Sequence, residues 1–233
     1  MDLSRRIDRP ERMDTEVFPV AVMRETLNFL GVTTRHFGGA AVVLGHFRRW
    51  SRAWNKDETI RILDVGTGGA EIPIALAEWA RNDGFRVHVT AIDLVPEVTH
   101  VARENAAGFP EIEVRQQDLF ALSNERFDYV TASLLLHHIP PAESQRLLAT
   151  FDSLATRGVL LSDLFRSHAS YCAVTALSYL IGNRVVMHDG PLSVRRAFKL
   201  EELTSLAKDA GLDYLKARRE PWFRVSLAGE KIR

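Results

Sequence analysis

Three aspartates, a glycine-rich turn and three histidines are the candidates in this chain for binding a small molecule and moving a proton. The stretch 60–73, IRILDVGTGGAEIP, reads as a strand, a tight turn and the opening of a helix. Ile62, Leu63 and Val65 suit a strand covered on both faces, and Gly66, Gly68 and Gly69 let the backbone reverse and come close to a ligand. Glu71 stands where a dinucleotide fingerprint needs a small residue, and a carboxylate there would repel a pyrophosphate. It still stabilises a helix N-terminus, and Pro73 fits the first turn. The bound molecule is therefore expected to carry no phosphate and to tolerate negative charge. Asp93 in TAIDLVP and Asp118 in RQQDLF follow the next two strand-like runs, and an acid at the first of these places can accept two charge-assisted hydrogen bonds from ribose hydroxyls. His137 and His138 in ASLLLHHIP and His188 in MHDGPLSVRR are candidate proton acceptors, because imidazole titrates near neutrality while a phenol titrates near ~10.

The strands and helices that hold these residues in place alternate. Strands are predicted over 60–65, 86–92, 112–116, 127–132, 158–162, 212–218 and 222–227, with helices over 71–82, 97–107, 142–155 and 200–210. Such alternation argues for an α/β fold with a parallel sheet and crossover helices on both faces. Two amphipathic helices are predicted before the first strand, over 15–30 with Gly31 as the stop, and over 40–54. Residues 1–14 are polar and read as irregular unless they fold over a ligand. The domain reading is a helical cap over 1–58 and a main domain over 59–233, with an insertion over 164–199.

Asp64, Gly66, Gly68 and then Ala70 in place of a third glycine resemble the first motif of the class I S-adenosylmethionine (SAM)-dependent methyltransferases, an acidic residue followed by G-x-G-x-G. The resemblance implies a Rossmann-like, seven-stranded, mostly parallel sheet whose last strand is antiparallel, and SAM as cofactor. It implies that Gly66, Thr67 and Gly68 form the cofactor turn, and that Asp64 and the main chain near Ser133 hold the methionine ammonium. Asp93 would take the ribose, Leu94 would pack on the adenine, and Asp118 with the amide of Leu119 would meet the adenine amine. A bland alternative for the aspartates is ordinary strand-end capping. A histidine pair after the fourth strand is frequent in the resembling enzymes, where it is often architectural. His138 ranks first as base, because of two adjacent residues one can face the ligand while the other packs in the fold. The acidic cluster of metal-dependent catechol methyltransferases is not recognisable, so no metal is expected. Residues 169–181 are apolar nearly all round and must be buried or face a lipophilic substrate. The following loop, NRVVMHDGPLSVRRAF, resembles bacterial methyltransferases of polyketide and other secondary metabolism. Arg195 and Arg196 are read as solvated surface, with an acidic substrate group as the alternative.

Composition sets the outer bounds. At 233 residues and 46% hydrophobic content the chain can bury one full core. Thirty basic and thirty acidic residues cancel, leaving no global field to attract nucleic acid. Cys172 is the lone cysteine, which excludes an internal disulfide, suits a reducing cytoplasm and reads as a small buried hydrophobe. The charged N-terminus is no signal peptide, and no apolar run is long enough to span a membrane. The leading expectation is O-methylation of a phenolic or polyketide-like small molecule. A quinone-biosynthesis type C- or N-methyltransferase, a SAM-binding module without turnover and a homodimer stay open, while Glu71 and Asp118 disfavour an NAD oxidoreductase.

Overall fold

The computed structural model describes residues 2–122 and 125–231. Strand β1 (Thr59–Val65) is central because its branched apolar run leaves no polar face: Ile60 and Ile62 are buried on one side and Leu63 and Val65 on the other. It pairs in parallel with β2 (Arg86–Asp93), Ile62 opposite Val89, and with β4 (Phe127–Ser133), Ile62 opposite Tyr129. With β3 (Ile112–Gln116), β5 (Ala155–Leu164), β6 (Lys216–Glu220) and β7 (Arg224–Glu230), the described strands form one seven-stranded sheet in the order β3-β2-β1-β4-β5-β7-β6. β7 runs antiparallel to both neighbours. This is the expected Rossmann-like, mostly parallel sheet.

Helices cover both faces. α3 (Gly39–Trp50), α4 (Glu71–Asp83) and α5 (Pro96–Asn105) lie on one face, α6 (Pro141–Leu154) and α9 (Leu200–Asp209) on the other. α3 belongs to the core rather than to a detached lid. Phe47, Trp50 and Trp54 pack with Trp79 and Tyr129, and the Trp50 ring lies parallel to that of Tyr129 at 5.1 Å. The Tyr129 hydroxyl accepts from Trp54 Nε1 and donates to Glu230, each at 2.8 Å, so the aromatic cluster buries no unpaired polar atom at this point.

The N-terminal and inserted segments differ from their sequence reading. α1 (Arg12–Thr15) interrupts the stretch expected to be irregular, and α2 (Val20–His36) runs straight through Gly31. Gly31 is no stop. The Glu71 carboxylate lies so close that any Cβ at position 31 would collide with it, and the helix ends instead at Phe37, before Gly38 at φ +81. The insertion folds as an antiparallel helix pair, α7 (His168–Ile181) and α8 (Arg184–Arg196). The expected loop is thus a helix: the Asn183 side chain accepts from the amides of Val185 and Val186 to cap it, and Gly190 admits the Ser178 hydroxyl of α7. α7 carries its apolar residues on a mostly uncovered surface. Leu177 and Val174 line a cleft, Tyr179 and Leu180 are exposed, and Cys172 is exposed where burial was expected. Arg196, read as surface, is buried. The last two strands start later than predicted. Leu212 and Leu215 reach the core from the turn after Gly211, which mimics strand alternation, and Trp222 and Phe223 take φ near +60 in the β6–β7 turn.

Candidate active site

A cleft of about 1010 Å³ runs along the carboxyl ends of β1, β2 and β4, at the point where the strand order departs in both directions from the centre. Ligands of doubly wound sheets bind there because strand ends and helix N-termini converge while side chains leave a hollow. All nine residues expected to meet the cofactor line it: Asp64, Gly66, Thr67, Gly68, Asp93, Leu94, Asp118, Leu119 and Ser133. Gly66 and Gly68 both adopt the left-handed region that this turn demands, at φ +66 and +57. Ala70, in the place of the third glycine, adopts it too and caps α4 at φ +67, fully buried.

Buried acids crowd the turn. Burial pushes the Asp64 carboxyl up to about 7, with the repulsion of Asp93 and Glu71 added. Asp64 Oδ1, Thr67 Oγ1 and Ser133 Oγ are buried without a hydrogen-bond partner in the protein. Unpartnered polar atoms at the end of a cleft fit a cationic, hydrogen-bonding ligand and not an apolar one. Asp93 accepts from the Gly68 amide at 3.3 Å and the Val95 amide at 3.1 Å, and its carboxyl is also raised, chiefly by burial. It therefore braces two loops as a strand-end cap while bordering the cleft. Asp118 similarly accepts from the Phe120 amide at 2.9 Å, in an exposed position, and Leu94 is exposed beside it on the cleft wall.

The histidine pair sits in a short 3-10 turn, Leu136–His138, just past β4. Its dangling carbonyls are taken by two arginines that sequence spacing does not reveal. Arg196 donates to the carbonyls of His137 at 2.8 Å and His138 at 2.7 Å, and Arg6 donates to those of His137 at 2.9 Å and Ile139 at 2.6 Å. Burial lowers Arg6 to about 10. Asp163 accepts the His137 amide at 2.9 Å and lies 2.6 Å from its Nδ1. Burial opposes ionisation there, but His137 holds Asp163 below the usual carboxylate range. His138 Nδ1 is paired in the same way, 2.6 Å from Asp14 Oδ1. One imidazole was expected to face a ligand and the other to pack away; instead both turn towards Glu11, a buried residue of the N-terminal segment. Burial raises the Glu11 carboxyl to about 7. Among the described residues, Glu11, His137 and His138 are the group with a metal-ligating composition.

Glu11 and Asp14 were missed because nothing in PERMD distinguishes a buried acid from a solvated one. His188 is not among the residues lining the cleft: its Nδ1 lies 2.7 Å from Asp189, whose carboxylate also accepts the amides of Arg12 and Met13. That carboxylate fastens the N-terminal segment over α8.

A β3-β2-β1-β4-β5-β7-β6 sheet with antiparallel β7, and a glycine turn backed by a buried aspartate at its switch point, define a class I methyltransferase fold. Residues 62–158 match the family model of the methyltransferase domain. Over 172 residues the chain is 32% identical to a ubiquinone biosynthesis O-methyltransferase of Xylella fastidiosa (strain M23), covering 70% of this chain but 65% of that protein. Over 172 residues it is 30% identical to the enzyme of the same name from Xanthomonas euvesicatoria pv. vesicatoria (strain 85-10), covering 70% and 67% of the two chains. The solved structure of the plantazolicin methyltransferase BpumL in complex with SAH shares the fold, with a TM-score of 0.67 at 12% identity over 92% of this chain and 95% of that one. The chain belongs to the SAM-dependent methyltransferases, and SAM is the cofactor of that family. The unpartnered Asp64, Thr67 and Ser133 atoms fit its charged amino-acid end.

Proposed function

We propose that this enzyme transfers the methyl group of SAM to a hydroxyl of a phenolic, partly lipophilic small molecule. When bound, SAM supplies an electrophilic methyl on a sulfonium. The protein's part is to hold both reactants and activate the hydroxyl. Asp64 and Ser133 hold the ammonium and carboxylate end, Asp93 the ribose, Leu94, Asp118 and Leu119 the adenine. The acceptor lies between α2 and α7, against Leu27, Leu30, Val174 and Leu177, which line the cleft with largely apolar surface. The segment 1–58 acts as its cap through α1 and α2. The observation that carries this reading is the convergence of His137, His138 and Glu11 on the same cleft as the Asp64 turn, which puts a group able to activate a hydroxyl beside the cofactor end. His138 ranks before His137, being the more exposed of the two.

The ubiquinone-biosynthesis names of the relatives favour a quinone-precursor phenol over a polyketide-like one, and oxygen over carbon or nitrogen as acceptor atom. A cytoplasmic enzyme is part of the reading: among the described residues no helix is long and apolar enough to cross a membrane. A homodimer is tested by sedimentation equilibrium. The decisive experiment incubates the protein with SAM and a panel of prenylated catechols and polyketide-like phenols, scoring a methyl mass increment. His138→Ala and His137→Ala are expected to lower turnover about a hundred to ten-thousandfold with SAM affinity intact, while His188→Ala stays near wild type. Undiminished turnover in both of the first two variants removes the histidine pair from the reaction.

A further inference from the structure

Glu11 reaches the histidine pair from 126 positions earlier in the chain. Its Oε1 lies 3.6 Å from His137 Nε2 and its Oε2 3.9 Å from His138 Nε2, and one ligand atom from each of the three residues lies within 4.8 Å of the others. Both imidazoles are committed at their other nitrogen, to Asp163 and to Asp14, each at 2.6 Å. On a neutral ring a carboxylate at Nδ1 favours the tautomer that carries its proton there, which leaves the Nε2 lone pair for a metal, and both Nε2 atoms are on the Glu11 side. Carboxylate-backed histidines are the arrangement by which proteins orient metal ligands. Glu11 Oε1 is buried with no hydrogen-bond donor, and its nearest guanidinium nitrogen is Arg196 Nε at 4.0 Å. The acids around the cluster, Glu11, Asp14, Asp163 and Asp189, outnumber the guanidiniums that act on them, Arg6, Arg196 and Arg224; Arg6 and Arg196 are engaged mainly with backbone carbonyls, and Arg196 also donates to Asp14 at 3.0 Å.

We propose that Glu11, His137 and His138 bind a divalent first-row transition cation, whose open coordination positions face the cleft and take the hydroxyl oxygen of the acceptor. Two neutral imidazoles and one carboxylate suit zinc, manganese, iron or cobalt, whereas magnesium and calcium favour all-oxygen sites. Ligand bonds of about 2.1 Å place ligand atoms roughly 3.0–3.4 Å apart, so the three side chains must draw in by roughly an ångström, within the reach of small torsional adjustments. This departs from the expectation of a metal-free enzyme, and it adds to the capping role of the N-terminal segment the delivery of the third ligand. Its catalytic part rests on the methyltransfer reading and specifies how the hydroxyl is activated. The bound hydroxyl loses its proton to bulk water, and the histidines serve as ligands rather than as bases.

The test uses the full-length protein after dialysis against EDTA. Cobalt(II), zinc(II) and manganese(II) are titrated by calorimetry, with visible absorption for cobalt and SAM binding measured on the same sample. One equivalent of ion is expected, with cobalt bands of a low-symmetry nitrogen and oxygen site, a higher Tm in its presence, and at least tenfold weaker binding in Glu11→Gln and His138→Ala. Glu11→Gln keeps the side-chain shape, so an unchanged circular dichroism spectrum separates lost ligation from lost folding. Turnover is expected to fall after EDTA treatment and to return with the ion. Failure of the wild type to bind any of the three ions at millimolar concentration, or equal binding by both variants, overturns the site. Full turnover in the ion-free protein overturns its catalytic part. Ion binding without SAM binding would instead sink the methyltransfer reading and leave the site standing.

Discussion

Asp64, proposed to hold the ammonium of SAM, carries a burial that costs stability. Its carboxyl titrates near 7 in the folded protein because burial disfavours the charge, against an ordinary value of 3.8. Between about pH 4 and 7 the folded protein holds a proton that the unfolded chain has released, so the stability contributed by this group is largest at low pH and is lost as pH rises through that window. SAM's ammonium favours the ionised carboxylate, so SAM affinity is expected to increase as pH rises through 7. Asp64→Asn should raise the Tm of the ligand-free protein at pH 8 and weaken SAM binding about ten- to a hundredfold. Thermal denaturation and calorimetry check both, and a lower Tm in the variant would show that the charge is already compensated in the empty site. The acid was legible in the sequence because it follows a strand-like run and precedes glycines. Its abnormal titration was not, since that depends first on complete burial, with Asp93 and Glu71 arriving from other elements to add repulsion.

At the level of elements, α2 depends on a missing side chain. Alanine is a better helix former than glycine by about 1 kcal/mol in a helix interior, so Gly31→Ala would stabilise an isolated α2. In the protein the added methyl meets the Glu71 carboxylate at the start of α4, beside the cofactor turn. Gly31→Ala is therefore expected to lower Tm and to weaken SAM binding, and an increase in Tm would mean that the Glu71 side chain swings aside at little cost. Periodicity alone could not separate a helix stop from a close approach, because both require glycine. The same ambiguity hid α8: glycine and proline at 190–191 look like loop residues until α7 packs against them.

For the whole molecule, the first fourteen residues join the insertion to the sheet. Leu3 is buried, Arg6 and Arg196 clasp the histidine turn, Asp189 accepts the amides of Arg12 and Met13, and Glu11 and Asp14 lie against the two histidines. Deleting residues 1–14 should leave a folded protein of lower Tm that binds SAM within about twofold of wild type, because the Asp64 turn and Asp93 are built without them. Turnover should drop at least a hundredfold, through loss of two site carboxylates and of the closure that excludes water. Calorimetry with SAM and the phenol assay check this, and full activity of the truncated protein would make the segment a mere tail.

The α/β alternation, the cofactor turn and the acids that follow successive strands could be read from residue order, because these are local: a buried strand, a tight turn and a cap each select residue types within a few positions. The seven-stranded, mostly parallel sheet with its antiparallel last strand was implied by the resemblance to the methyltransferases, and the order of the strands was decided by the fold. Which charges are buried emerged only from the folded chain. Arg196, Glu11 and Asp14 have the composition of a solvated surface, and they join the candidate site only because the N-terminal segment folds back over α8 and the histidine turn, bringing together partners 58 to 187 positions apart. No local pattern encodes such a pairing, since the free energy of burying a charge is set by the groups that come to surround it.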